Sequence, residues 1–131
     1  MRTVTRLGIL VASLAVVSAV PAAAQGAAKL PAGVTPAMVE KGKAVYKGTG
    51  LCFACHGAEG KGAVGPNLTD KEWIHVKDGD YAGMVALITK GITAAEAKTG
   101  KGPMPAKGGS QISDEDVKAV AAYVWSISHP S

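Results

Sequence analysis

Three stretches of the chain repeat apolar residues at the spacing of a helix. Met38, Val39, Gly42, Val45 and Tyr46 make one stripe, Tyr81, Met84, Val85 and Ile88 a second, and Val117, Val120, Ala121, Val124 and Ile127 a third. Residues three, four and seven apart share one face, so each stretch predicts an amphipathic helix. The end signals agree. Thr35 precedes Pro36 as an N-cap with proline at the first helical position, and the second stretch begins near Asp80 and reaches Gly91, well placed for a C-terminal cap. Ser113 and Asp116 form a capping-box pair ahead of the third stretch, Asp114 and Glu115 suit a positive helix start, and the helix runs to about Ser128. A turn or two of helix is expected from Ala94 to Lys98. Strand alternation and internal repeats are missing, so the expectation is an all-α domain of three to five helices with long loops.

The N-terminal pattern is different. "LGILVASLAVVSAV" is an unbroken apolar run of 14 residues, behind the basic start "MRTVTR" and ahead of Pro21 and three alanines. A bilayer-spanning helix needs about 20 apolar residues, so this is the layout of a cleaved secretory signal. Cleavage before Gln25 makes residues 1–24 the signal peptide, 25–34 a flexible lead and 35–131 the folded domain. The expected destination is the periplasm by the general secretory route, with no stable membrane insertion expected afterwards. Removing the leader takes both arginines, so the formal charge falls from +4 to +2. So small an excess removes the main motive for binding nucleic acid.

Composition raises a question about the core. There are 17 glycines but only one Phe, three Tyr and two Trp to fill an interior, and small domains with thin cores usually need a staple. The only two cysteines, Cys52 and Cys55, are too close together for a useful disulfide. His56 follows directly, and Cys-x-x-Cys-His is the signature for covalent attachment of a c-type haem. One helical turn puts both sulfurs on the same side, and the neighbouring imidazole is placed to ligate iron. A large apolar disc would also supply the missing core. A zinc site would need two further ligands at finger-like spacing, and only His75 and His129 remain. A thioredoxin-like dithiol would want a strand-helix setting, whereas a helix and "KGTG" precede Cys52.

Candidates for a second axial ligand are Met38, Met84, Met104, His75 and His129. Met38 and Met84 sit on apolar stripes, where methionine is more often core filler. Met104 is favoured because it lies off any stripe, in the loop "GKGPMPAKGG", between two prolines that stiffen the segment.

These residues together resemble the class I cytochromes c from Thr35 to Ser128: the Gly42-x-x-x-Tyr46 helix, "CFACH", the "GPNL" turn, the "GPMPAKGG" loop and the closing helix "VKAVAAYVWSIS". The "PNLTD" turn running into a tryptophan and the "MPA" loop are most similar to the haem domains of the cbb-type oxidase diheme subunit. The resemblance implies a small cytochrome c fold around one haem c, covalently held through Cys52 and Cys55. It also implies that the Pro66 carbonyl accepts the Nδ1 proton of His56, that Trp73 stands near a haem propionate, and that Gly42 and Tyr46 pack across Val120 and Tyr123. "KGTG" lengthens the approach to the first cysteine relative to shorter members.

Iron held by imidazole and thioether has no open position, so one-electron exchange is the expected chemistry, at a potential raised by the soft ligand. The expected protein is a monomeric electron carrier rather than an enzyme, with a membrane cytochrome complex, terminal oxidase or periplasmic dehydrogenase as partner. An electron-accepting dehydrogenase subunit is the alternative, and less favoured is a haem protein whose methionine dissociates for gas sensing or peroxidase chemistry. Lys61, Lys71, Lys90, Lys98, Lys101 and Lys107 flank the expected haem loops. They read equally as a docking face for acidic partners and as a solvated surface.

Overall fold

The computed structural model describes residues 29–98 and 101–130. The expected signal peptide, 1–24, and the start of the lead, 25–28, lie outside the described residues. Helix α1 spans Pro36–Lys47. Its first turn is closed by Thr35, whose Oγ1 accepts from the Met38 N–H at 3.2 Å, while Pro36 leaves no orphan donor. Gly42, Val45 and Tyr46 of the stripe are buried, and Met38 and Val39 are only half-buried. Helix α2, Cys52–His56, is a short one. Helix α3, Tyr81–Lys90, starts where the Asp80 carboxylate accepts from the Gly83 N–H at 2.8 Å and stops at Gly91, whose φ of 77° a side chain rarely adopts. Helix α4, Asp114–Ser128, opens on a complete capping box: Ser113 Oγ accepts from the Asp116 N–H at 3.1 Å and the Asp116 carboxylate from the Ser113 N–H at 3.2 Å.

The core is built on the crossing of α1 and α4. A Cβ at Gly42 would lie 1.8 Å from the carbonyl oxygen of Ala119 and 3.0 Å from Tyr123 Cβ, so the missing side chain is what allows backbone-to-backbone approach. The expected contact with Val120 and Tyr123 therefore centres on the Ala119 backbone and Tyr123. Tyr46 has 0% of its surface exposed and meets Tyr123 edge to face, ring centroids 5.2 Å apart at 64°. Helix α3 leans on α4 through buried Met84 and Ile88, and the Tyr81 hydroxyl donates to the Lys118 carbonyl at 3.2 Å.

Four α-helices with short 3-10 turns at Lys77–Gly79 and Ala106–Gly109 make the fold all-α, with no strand among the described residues. The helix expected from Ala94 to Lys98 is a single turn. The Glu96 carboxylate accepts hydrogen bonds from the Thr93 N–H at 3.0 Å and the Thr93 Oγ1 hydroxyl at 2.8 Å, closing the turn locally. The three alanines there, Ala94, Ala95 and Ala97, offer too little apolar surface to extend it. An antiparallel bridge between Ile92 and Met104 is the other feature that periodicity did not announce.

Candidate functional site

The cysteines arrive on α2 through Leu51, which takes the left-handed φ of 55° and turns the chain out of α1. Cys52 is half-buried and Cys55 exposed, and both are free thiols. The Cys52 thiol donates to the Gly50 carbonyl at 3.4 Å. Burial pushes its pKa up, the opposite of the lowered thiol that a reactive redox pair requires.

The glycine-rich loop after His56 folds back onto α2. Gly57 N–H donates to the Phe53 carbonyl at 2.9 Å, Gly62 to His56 and Gly65 to Cys55 at 2.8 Å each, so the carbonyls left open at a helix end find partners. The Tyr46 hydroxyl donates to the Gly57 carbonyl at 2.8 Å, which ties α1 to the end of the cysteine helix. Burial holds that phenol protonated well above its ordinary range. This network went unread in the sequence, where its only signal is the run Gly57, Gly60, Gly62 and Gly65.

His56 is buried. Its Nδ1 lies 3.0 Å from the Pro66 carbonyl, which only accepts, so Nδ1 carries the proton and Nε2 keeps a lone pair. Gly65 makes room for the ring: a Cβ there would stand 2.9 Å from Cε1 and 3.0 Å from Nδ1. Burial lowers the imidazole pKa, with the Pro66 bond opposing, and the neutral ring with one fixed N–H is the form that binds a metal.

A single cavity brings the expected residues together. Cys52, Cys55, His56, Pro66, Trp73 and Met104 all line it, within an empty volume of about 1320 Å³ that includes its open mouth. Trp73 is half-buried and lies so close over Gly79 that a Cβ there would be 2.5 Å from its Nε1. Of the other ligand candidates, Met84 and His75 also line the cavity, Met84 buried to 3% exposure and His75 exposed. Met38 and His129 stand away from it. His129 stacks on Trp125 with ring centroids 4.4 Å apart, and its Nδ1 is 3.0 Å from Ser128 Oγ. Met84 was expected as core filler and is one, but the core it fills is also the cavity wall. A mostly apolar space with two thiols, a neutral imidazole and thioether sulfur on its walls fits a covalently attached haem. Of the lysines, Lys98 and Lys101 line the cavity, while Lys61, Lys90 and Lys107 pair with Glu59, Glu96 and Asp114 at 3.0, 2.7 and 2.9 Å.

Comparison with known proteins settles the family. The model of cytochrome c oxidase, cbb3-type, subunit III matches residues 37–124, more than half of the chain. The chain belongs to the cbb3-type subunit III family. Like the family, it is a c-type cytochrome domain, which implies covalently bound haem c and electron carriage. The cbb3-type cytochrome c oxidase subunit CcoP of Rubrivivax gelatinosus is 43% identical over 84 residues, covering 62% of this chain and 24% of that protein. Subunit FixP of Azorhizobium caulinodans is 42% identical over 78 residues, covering 59% and 26%. The chain thus spans about a quarter of these relatives. Cytochrome cL of Methylophaga aminisulfidivorans shares the fold at a TM-score of 0.51 and 20% identity, over 70% of this chain and 53% of that one. Among the described residues of this subunit III relative, no helix is long and apolar enough to cross a membrane.

Proposed function

We propose that this domain is a monohaem electron carrier, exported to the periplasm, with His56 and Met104 as its axial ligands. The observation that carries this reading is the pairing of Nδ1 with the Pro66 carbonyl at 3.0 Å, which leaves Nε2 as the only imidazole nitrogen free to ligate. Cys52 and Cys55 would hold the haem by thioethers, and Trp73 would border its propionate edge. When bound, haem c supplies reversible one-electron chemistry at iron. The chain's own part is to hold both ligand side chains in place and keep water out, since apolar walls and a stiff ligand set leave little to rearrange between oxidation states. With His56 imidazole and Met104 thioether both bound, the iron would have no open position for oxygen or peroxide. Electron exchange with a redox protein, whether oxidase, membrane cytochrome complex or dehydrogenase, is then what remains.

The test is the protein expressed with a haem-attachment system. Mass analysis should show one porphyrin added, and Cys52→Ala with Cys55→Ala should abolish the addition. The oxidised protein should show the far-red band of iron-thioether ligation, and the reduced protein should not bind carbon monoxide. Met104→Ala should remove the band. A band that survives in Met104→Ala and vanishes in Met84→Leu would transfer the ligand role to Met84.

A further inference from the structure

We infer that Gly91 and Ile92, at the C-terminal end of α3, are positioning residues that hold Met104 in its axial place, so that release of the thioether and opening of this backbone clamp are one event. The inference rests on Met104 being the second axial ligand. Ile92 N–H donates to the Met104 carbonyl at 2.7 Å, and Met104 N–H donates to the Ile92 carbonyl at 2.9 Å. Pro103 and Pro105 carry no N–H, so Met104 supplies the only backbone donor of the Pro-Met-Pro segment, and that donor is spent on Ile92. The flanking Pro103, Pro105 and Ala106 are exposed, whereas α3 is anchored in the core by Met84 at 3% and Ile88 at 7% exposure. The clamp is thus the link from a surface loop to a buried helix.

Gly91 makes the approach possible. Its N–H closes α3 on the Leu87 carbonyl at 2.7 Å, its φ is +77°, and a Cβ there would fall 2.4 Å from the Met104 carbonyl oxygen and 2.6 Å from the Ala106 nitrogen. Both atoms are backbone, so the methyl has nothing flexible to push aside. An alanine at 91 must move the ligand loop away from α3. By linkage, a ligand that displaces the thioether must loosen the clamp by the same factor that a broken clamp favours the ligand.

The experiment uses the haem-loaded protein. Gly91→Ala should weaken the far-red thioether band and raise the affinity of the oxidised iron for added imidazole about tenfold or more, equivalent to about 1.4 kcal/mol, with covalent haem and helix content retained. Two controls separate this from general strain. Gly33→Ala carries the same left-handed penalty at φ +79° and meets nothing within 4 Å, and Gly109→Ala, at φ +80° in the same loop and away from the cavity, meets only Pro105 side-chain carbons at 3.8 and 3.9 Å, ordinary contact; both should match wild type. Wild-type values of band and affinity in Gly91→Ala would overturn the inference. Should Gly91→Ala not fold, hydrogen exchange on the wild-type protein decides. Saturating imidazole should speed exchange at the Ile92 and Met104 N–H together, about tenfold or more, and an Ile92 N–H indifferent to imidazole would overturn it. If Met104→Ala keeps the thioether band, the axial assignment itself has failed, an outcome distinct from an intact assignment with an inert clamp.

Discussion

Replacing Gly42 by alanine sets two effects of opposite sign against each other. In an isolated helix the change is favourable, because alanine exceeds glycine in helix propensity by about 1 kcal/mol. In this protein the new Cβ would stand 1.8 Å from the Ala119 carbonyl oxygen, and real Cβ contacts essentially never fall under 3.0 Å, so α1 must retreat from α4 by at least 1.2 Å. A gap of 0.5–1 Å forfeits roughly a quarter to a half of each dispersion contact it opens. The contacts at stake include those of fully buried Tyr46 and its ring pair with Tyr123. Overpacking of a tight core costs about 1–3 kcal/mol and occasionally more, and a backbone carbonyl gives less than a side chain. The upper part of that range, less the propensity gain, leaves a net loss of about 2–3 kcal/mol. At roughly 4–8 °C per kcal/mol for a domain of this size, thermal unfolding of the haem-loaded protein followed by far-ultraviolet circular dichroism should fall by about 8–24 °C. Ala44→Gly, on the exposed face of the same helix, should lose only about 1 kcal/mol, by propensity. A Gly42→Ala protein as stable as wild type, or more so, would refute the close crossing of these helices.

Three further predictions follow from the site and its frame. Tyr46→Phe removes one of two donors to the Gly57 carbonyl, which still accepts from the Gly60 N–H at 3.1 Å, and should lower the free energy of urea unfolding by about 0.5–1.5 kcal/mol, with one haem still attached. Gly65→Ala crowds the His56 ring away from Pro66. Losing that hydrogen bond makes the imidazole a weaker donor, so the reduction potential should rise by roughly tens of millivolts, on a scale where about 59 mV is tenfold for one electron. The third concerns acid. The Lys90 ammonium, with Thr93, holds the Glu96 carboxyl down at about 2 from its ordinary 4.5. A depressed folded value means the stabilisation is complete above 4.5 and is lost as pH falls from there towards 2. The urea midpoint of Glu96→Gln should therefore decline less steeply than wild type across that window, and identical slopes would dismiss the contribution.

Most helix boundaries were legible because they depend on neighbours in sequence. Thr35 accepts from Met38, Asp80 from Gly83, Gly91 donates to Leu87, and Ser113 and Asp116 cap each other, so every one of these signals acts within about a turn of its own residue. The cofactor site was legible in part, since adjacency in sequence ties Cys52, Cys55 and His56 together. What stayed hidden joins distant residues or bends the backbone without a compositional mark. The Ile92 to Met104 bridge spans a loop and has no period, and left-handed Leu51 and Lys107 stand where glycine would have been the usual sign. Met84 shows a subtler limit. An apolar stripe says that a face is covered but not by what, and here the face of α3 serves the helix core and the cavity at once.

The cavity wall draws on residues from Tyr46 in the first helix to Val124 in the last. No contiguous half of the domain therefore owns a usable pocket, and a cut or graft point anywhere between those two residues divides it. Gene fusions that build larger redox chains from this module must copy it entire, and the span matched by the family model, 37–124, encloses that indivisible unit with little to spare.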